Sequence, residues 1–253
     1  MIDKIVYSLD NNDIREYRLN LLNKVKDEFN EKISDFNLKK MKNVNKYFSL
    51  TSKKAYIVLE GEEIYIKYLK IPKVSDEKLY ALINSELSYL YSNEKRILFN
   101  YKKLRELDKF VEVIVFYLRE DNLNFINKLV ETQNLKAVRI IQICFLKYYS
   151  KCIKEHNYLI CFNYNSNLYI LFIKNKNIFA NGIYSNKNNN IYNAKEYIEK
   201  FLISNNINSK NVEKVYVAGK LTEEFNIIDL LKKISKVEFL NEIDRNKVLK
   251  LIV

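Results

Sequence analysis

Glycine and proline are scarce in this chain, which has three glycines and one proline among its 253 residues. A loop that grips phosphate groups with its backbone needs glycine, because a side chain blocks the close approach of the amide groups. Phosphate-binding loops are therefore hard to place anywhere in this sequence. Its hydrophobic content of 48% nevertheless suffices for a real core, arranged as one large domain or as two lobes.

Histidine and cysteine are too few for the common catalytic and metal sites. His156 is the only histidine, so histidine-based metal sites, His–Cys dyads and Ser–His–Asp triads lack support. It falls in a predicted turn, which indicates a surface residue. Cys144, Cys152 and Cys161 show no metal-ligand spacing and are predicted to be buried, reduced thiols of a cytosolic protein.

Long apolar runs are missing as well. No stretch reaches the roughly 18 apolar residues that a membrane-spanning helix needs, and the chain start shows no signal-peptide pattern. We therefore expect a soluble, cytoplasmic protein. The sequence leaves open whether a membrane segment follows Val253 in a longer chain.

Positive charge is abundant, with 43 Lys and Arg against 31 Asp and Glu and a formal net charge of +12. The lysines are scattered among glutamates, and their modest clusters lie at residues 39–42 and 102–103. This pattern favours a solvated basic surface over a nucleic-acid interface. It also suits a position at the inner face of an anionic membrane.

The most informative stretch begins at residue 64. Apolar and polar residues alternate over residues 64–68, which is typical of a half-buried strand, and Pro72 suits its exit. Ser75 follows as a predicted N-cap, with acidic residues in the first helical turn, where the helix dipole favours them. The predicted helix carries apolar residues on one face, namely Leu79, Leu82, Ile83, Leu87 and Leu90.

The remaining pattern predicts a mixed α/β protein. A helix is expected over residues 14–36, then a polar, mobile connection over residues 34–52, and a further helix from Asp121 to Asn134. Strands are predicted over residues 54–59, 96–101, 111–118 and 137–141, with a charged turn over residues 102–109 and a helix around Phe145. The second half predicts three strands, a helix, a strand, a helix and a strand, over residues 158–162, 168–173, 177–183, 193–203, 214–218, 223–234 and 236–240.

The order of these elements resembles the PilM family of actin-like pilus-assembly proteins, and the related GspL-like cytoplasmic domains of secretion systems share it. The matching segments are residues 67–72, 74–79, 86–89, 113–118 and 132–136. The resemblance covers roughly residues 55–240. It implies an α/β, actin-like (ribonuclease H-like) fold with two lobes: residues 1–150, which include an inserted subdomain at about 64–135, and residues 151–253.

The same resemblance implies a degenerate nucleotide site. Actin-like ATPases hold phosphates in two glycine-containing hairpin turns, hold Mg²⁺ through an aspartate, and place a glycine pair against the purine. Residues 4–12 contain no glycine, and the other motif positions fall on Cys161, Asn163, Asn167, Gly219 and Lys220. We therefore expect a protein that is not an enzyme and that holds no metal and no cofactor, although the sequence leaves open whether ATP still binds.

The resemblance further implies a cytoplasmic scaffold of the type IV pilus assembly machinery. It would bind the cytoplasmic tail of an inner-membrane PilN-like partner, with the pilus assembly ATPase or the platform protein as further partners. The predicted walls of the partner groove are Tyr68, Leu69, Ile71, Leu87 and Tyr91.

Two other functions compete with the scaffold. One is a nucleotide-binding, filament-forming ATPase in the manner of FtsA, which the missing glycines disfavour. The other is a basic nucleic-acid-binding module, which would show steeply salt-dependent binding. Neither the residues nor the resemblance separates a pilus system from a type II secretion or competence system, and neither gives the oligomeric state.

Overall fold

A computed structural model of the protein describes residues 4–10, 13–19, 25–32, 54–61, 64–90, 97–119, 134–165, 167–185 and 191–252. The described residues form three β-sheets, with thirteen strands, five α-helices and one 3-10 helix. The strands are β1 (Lys4–Asp10), β2 (Asp13–Leu19), β3 (Val25–Lys32), β4 (Lys54–Glu60), β5 (Tyr65–Pro72), β6 (Ile97–Glu106), β7 (Phe110–Arg119), β8 (Asn134–Ile140), β9 (Tyr158–Tyr164), β10 (Asn167–Lys174), β11 (Asn177–Ser185), β12 (Lys214–Ala218) and β13 (Val237–Phe239).

The helices are α1 (Asp76–Leu90), α2 (Ile141–Tyr149), α3 (Ile191–Ser204), α4 (Phe225–Lys232) and α5 (Arg245–Ile252), and the 3-10 helix spans Gly219–Glu223. None of the described helices has the length and hydropathy to cross a membrane. The chain divides into two compact units. The larger unit comprises Met1–Glu62 and Phe125–Val253, and the smaller unit comprises Glu63–Asn124. The predicted lobe boundary at residue 150 and the predicted subdomain at 64–135 stay predictions.

Sheet 1 of the larger unit has the strand order β3-β2-β1-β4-β8. β1, β2 and β3 pair antiparallel in chain order, whereas β4 lies parallel to both β1 and β8. Nearly every described side chain of β1 and β4 is buried. A parallel strand that is covered on both faces is expected to be this uniformly apolar.

The helix predicted over residues 14–36 is wrong, because the structure has β2 and β3 there. β2 buries Ile14 and Glu16 on one face and Tyr17 and Leu19 on the other. A strand buried on both faces does not show the period-2 alternation that marks a half-buried strand, so its apolar residues can fall at helical spacing. Pairing with β1 and β3 then decides the conformation.

Sheet 2, also in the larger unit, has the order β11-β10-β9-β12-β13. The predicted antiparallel meander of three strands is confirmed, and β12 lies parallel to both β9 and β13. One face of this sheet packs against α3 and α4 through a fully apolar core, which includes Leu159, Ile170, Phe201, Val215 and Leu231. The helix predicted over residues 223–234 begins only at Phe225, after the 3-10 turn.

Sheet 3 of the smaller unit has the order β5-β7-β6 and is covered on one face by α1. Leu79, Ile83 and Leu87 of α1 are buried against β7, as the helical pattern predicts. Leu82 and Leu90 were expected on the same face, but they are 41% and 40% exposed. A three-stranded sheet is narrow, so it covers the stripe formed by every fourth residue and leaves the flanks of the helix in solvent.

Several smaller expectations also need correction. The charged segment over residues 102–109 is mostly strand, because β6 runs to Glu106 and pairs with β7 around a register shift between Lys103 and Arg105. Asn134 begins β8 instead of ending a helix, and the helix expected from Asp121 lies outside the described residues, as does the connection over residues 34–52. Cys152 is exposed, whereas Cys144 and Cys161 are buried as predicted.

Gly182 offers a test of the packing between β11 and α3. A Cβ atom at this position would lie 2.6 Å from Tyr197 Oη and 2.9 Å from Phe201 Cδ2. Gly182→Ala should therefore lower the free energy of unfolding by about 1–3 kcal/mol, because α3 must shift to admit the methyl group. Each kcal/mol should lower the thermal midpoint by roughly 2–4 °C. Ser185→Ala, at an exposed position of the same strand, is the control and should leave the midpoint unchanged.

Candidate functional site

The predicted nucleotide positions meet where β9 and β12 end. These strands run parallel, with Phe162 beside Ala218, so their carboxyl ends lie at one edge of sheet 2. Gly219 follows β12 with a φ of +71°, and a Cβ atom there would lie 3.2 Å from the carbonyl oxygen of Asn163. The structure therefore brings Gly219 against the backbone of Asn163, and this close approach is the reason for glycine at position 219.

The other predicted nucleotide positions are less accessible. Cys161 is fully buried within sheet 2, and burial raises the pKa of its thiol to about 12, so it is a packed, protonated side chain. Asn167 is 4% exposed and opposes Tyr164 across the β9–β10 ladder. Asn165, with a φ of +46°, takes the left-handed conformation that a glycine often supplies in a hairpin turn. The side chain of Lys220 is outside the described part of the structure.

A buried carboxylate that sequence reasoning missed lies beside this turn. Glu60 ends β4 and is 1% exposed. It accepts hydrogen bonds from the Ser8 hydroxyl of β1 and, at 2.6 Å, from Nδ2 of Asn165. The next residue also reaches sheet 2, because the Gly61 amide donates to Tyr169 Oη at 3.1 Å. Glu60 therefore links the edge of sheet 1 to the β9–β10 turn.

A signal for Glu60 was present in the sequence. It follows five buried residues of β4, and a charged residue at the end of a central strand is seldom buried without partners. The sequence does not reveal those partners, since Ser8 and Asn165 lie 52 and 105 positions away.

An aromatic cluster supports the same edge of sheet 2. The Phe145 ring of α2 lies 4.2 Å from the ring of Phe162 and 4.9 Å from that of Tyr164, between centroids. Burial first, and then the nearby charge of Glu60, raise the pKa of Tyr164, so its hydroxyl stays protonated. Among the residues that the structure describes, no three metal-ligating side chains come together.

A second group of perturbed ionisable side chains lies at the opposite end of sheet 2. Lys214 at the start of β12 contacts Glu155 at 2.6 Å and Glu238 at 2.9 Å. Burial raises the pKa of Glu155, but hydrogen bonds from Lys214 and Tyr216 outweigh burial and hold it at about 2. Since every charge in this cluster has a partner, it stabilises the strand ends and offers no free acid or base.

A groove in the smaller unit is the second candidate site. β5 is an edge strand of sheet 3, and a pocket of about 240 Å³ lies between it and α1. We call this pocket the β5–α1 groove. It is lined by Leu69, Lys70, Ile71, Pro72, Leu82 and Glu86. Lys67 and Glu86 form an ion pair at 3.9 Å beside it. The groove thus combines apolar lining residues with a charged pair beside it, as peptide-binding grooves often do.

The residues predicted to bind a partner do not all lie at the groove. Leu69 and Ile71 line the β5–α1 groove. Tyr68 is 48% exposed and opposes Ile114 of β7, whereas Leu87 is 1% exposed and lies in the core under α1. Tyr91 lies outside the described residues. Sequence reasoning missed Leu82 as a groove residue, because its spacing suggested a place in the core.

Glu60 can be tested by shape-matched substitution. Glu60→Ala leaves the Ser8 hydroxyl and the Asn165 amide without their acceptor, which should cost about 1–3 kcal/mol of unfolding free energy for each donor left unpaired. Glu60→Gln keeps the volume and one acceptor oxygen, so its loss should be smaller. Urea unfolding of both variants measures the difference. Equal stability of Glu60→Ala and the unmodified protein would contradict a bridging role.

Neither a protein-family profile nor a curated protein sequence matches this chain. Solved structures match it over nearly its whole length. A chain of a PilM–PilN type IV pilus biogenesis complex has a TM-score of 0.61 at 8% identity, over 99% of this chain and 90% of that chain. The cytoplasmic domain of EpsL, an inner membrane component of the type II secretion system of Vibrio cholerae, has a TM-score of 0.52 at 7% identity, over 98% and 93%.

A third structure, from Bacteroides thetaiotaomicron, is a protein with an actin-like ATPase fold and unknown function. It has a TM-score of 0.54 at 15% identity, over 98% of this chain and 95% of that chain. Identities this low establish the fold alone. The predicted α/β, actin-like fold is therefore confirmed, and in its fold this chain is similar to PilM-type and EpsL-type proteins.

Proposed function

We propose that this chain is a non-catalytic, cytoplasmic scaffold of a type IV pilus or related secretion machine, which binds the cytoplasmic tail of a PilN-like inner-membrane partner. The observation that carries the proposal is the β5–α1 groove, in which an open strand edge lies beside an apolar pocket. Through that partner the protein would lie at the inner face of the membrane.

The groove suits an extended peptide. Among the described strands β5 pairs with β7 alone, so its other edge offers backbone donors and acceptors to an added strand. Pro72 at the end of β5 has no amide hydrogen, which limits the pairing to the part of the strand before it. The apolar lining residues Leu69, Ile71 and Leu82 would contact alternate side chains of the peptide.

A charged pair beside the groove would orient the peptide. Lys67 of β5 and Glu86 of α1 form an ion pair at 3.9 Å, so a positive and a negative charge lie beside the pocket. Surface charges of this kind contribute more to specificity and to the rate of association than to affinity. The structural similarity to a protein from a PilM–PilN complex supports a PilN-like tail as the peptide.

The absence of catalysis is part of the proposal. Asn163 in β9 and Asn165 in the β9–β10 turn stand where phosphate binding would favour glycine, and Cys161 occupies the place of a metal-binding aspartate. The β9–β10 turn is already engaged by the Glu60 carboxylate, whose negative charge would repel a phosphate group. These features support a protein that works by binding partners, without ATP hydrolysis.

A charge placed in the groove should abolish tail binding. Leu82→Glu puts a carboxylate against the apolar pocket, and because Leu82 is 41% exposed the fold should persist. We expect the dissociation constant for a synthetic PilN-type tail peptide to rise at least tenfold, which corresponds to a loss of about 1.4 kcal/mol of binding free energy. Fluorescence anisotropy measures it.

The matched control is Leu104→Glu. Leu104 is also 41% exposed, but it lies on β6 at the other edge of sheet 3. It should bind the peptide as the unmodified protein does. Equal weakening by both substitutions, or by neither, would count against the groove as the binding site.

Nucleotides should not stabilise the protein. A ligand at a hundred times its dissociation constant adds about 2.7 kcal/mol, and each kcal/mol shifts the thermal midpoint by roughly 2–4 °C. We therefore expect no change in the midpoint with Mg-ATP or Mg-ADP, measured by thermal unfolding. A clear, saturable shift would contradict the proposal and would favour an adaptor that is switched by nucleotide.

A further inference from the structure

The backbone of β5 has a definite pattern at the edge that no described strand covers. The register of β5 and β7 pairs Pro72 with Phe110, and the next amide, that of Lys73, donates to the Lys109 carbonyl at 3.0 Å. Hydrogen-bonded positions recur at every second residue of an antiparallel pair, so the odd-numbered residues of β5 direct their amide and carbonyl groups towards β7. The even-numbered residues, Lys70 among them, therefore direct theirs towards the open edge.

The side chains of β5 alternate between the two faces of sheet 3. Leu69 and Ile71 pack with α1 in the core of the smaller unit. Lys70 lies between them in the strand, so its side chain leaves the opposite face of the sheet, where it is exposed. A strand added beside β5 would therefore place alternate residues against Leu69 and Ile71 on one face, and the residue between them against Lys70 on the other.

The lysines along this strand differ in their partners. Lys67 pairs with an acidic residue of α1 at 3.9 Å, and Lys73, just after the strand, pairs with Glu106 at 3.5 Å. Among the residues that the structure describes, Lys70 forms no ion pair, and its ammonium lies 4.8 Å from the centre of the Phe110 ring. A ring contact holds the ammonium in place without neutralising it, so the positive charge of Lys70 stays available.

The acidic residue beside Lys70 in the sheet is engaged elsewhere. Glu112 of β7 stands opposite Lys70 in the register of the two strands. Both carboxylate oxygens of Glu112 accept hydrogen bonds from Arg105 of β6, at 3.1 Å from Nε and at 3.0 Å from Nη2. The row of side chains across sheet 3 therefore alternates in charge, from Arg105 through Glu112 to Lys70, and it ends with a positive charge at the open edge.

We propose that the β5–α1 groove selects peptides in which one acidic residue stands between two apolar residues, and that Lys70 is the residue that pairs with the acid. This inference rests on the proposed peptide-binding role of the groove and names the chemistry of the peptide. In a strand paired with β5, the acid would lie beside Lys70 and continue the alternation of charge across the sheet. Its two neighbours would contact Leu69, Ile71 and Leu82 on the other face.

The negative charge of Glu112 does not oppose this choice. Neighbouring strands lie about 4.8 Å apart, so an acid in the added strand would stand about 10 Å from Glu112. That separation is roughly the Debye length at 0.1 M salt, and Arg105 neutralises Glu112 at closer range. The nearer charge of Lys70 therefore decides which sign the peptide needs, and a basic residue in the same place would face a like charge directly.

Selection from a display library of random nine-residue peptides tests this preference on the full chain. The unmodified protein should enrich peptides with the order apolar, acidic, apolar. Lys70→Glu should enrich a basic residue in place of the acid, because the charge that faces the peptide is reversed. Lys70→Gln should enrich the two apolar residues without a charge preference between them.

The affinities of synthetic peptides then measure the preference. Three versions of one enriched peptide carry glutamate, glutamine or lysine at the central position, and fluorescence anisotropy gives their dissociation constants. The unmodified protein should bind the glutamate peptide about threefold or more tightly than the lysine peptide, because an opposite charge replaces a like charge across the strand pair. Lys70→Glu should reverse this order.

Lys174→Glu is the matched control. Lys174 is likewise an exposed lysine of a strand, and its ammonium lies 5.1 Å from the centre of the Phe179 ring, but it ends β10 in the larger unit. The substitution changes the net charge as Lys70→Glu does, so it should keep the preference of the unmodified protein. If Lys70→Glu fails to fold, Lys70→Gln, which places no second acid beside Glu112, still decides the question.

The outcomes separate this inference from the proposed function. Enrichment of apolar residues without a charge preference, lost in Leu82→Glu, would overturn the role of Lys70 and would keep the groove as the binding site. An acidic preference that survives in Lys70→Glu and Lys70→Gln would also overturn that role. If the unmodified protein enriched no peptide at all, both the inference and the peptide-binding function on which it rests would fail.

Discussion

A buried carboxyl group at the end of β4 constrains how the two five-stranded sheets meet. Glu60 accepts one hydrogen bond from the Ser8 hydroxyl of its own sheet and another from the Asn165 side-chain amide in the β9–β10 turn of the other sheet. A carboxyl group at this depth is tolerated only while donors surround it. Asn165 belongs to the same arrangement. Its backbone is left-handed, and its side-chain amide donates a hydrogen bond to Glu60. The edge of sheet 1 and the hairpin of sheet 2 are therefore positioned together.

The actin-like fold forms here in a chain that has only three glycines. Its stability comes from uniformly apolar strands such as β4 and β10 and from the packing of α3 and α4 on sheet 2. None of this depends on the turns at the strand ends. Because this packing does not use the strand ends, proteins that share one fold can differ in the chemistry of their turns.

The smaller unit derives its candidate site from incomplete coverage. α1 covers only part of sheet 3, and β5 keeps an unpaired edge among the described strands. An open edge invites pairing with another chain, and the lysines and the terminal proline of β5 restrict which chains can pair. A groove of this kind is a consequence of element size, since a fourth strand or a broader helix face would close it.

The sequence by itself determined the element order of the second half, the strand–proline–helix unit around Pro72 and the scarcity of phosphate-binding glycines, because each rests on local periodicity or composition. It failed for β2, since burial on both faces removes the period-2 pattern. Only the tertiary structure decided that Leu82 lines a groove while Leu87 lies in the core, and that Gly219 contacts Asn163. Glu60 and Asn165 meet only on folding. Contacts between residues so distant in the chain leave no local pattern, because strand pairing and helix docking alone bring them together.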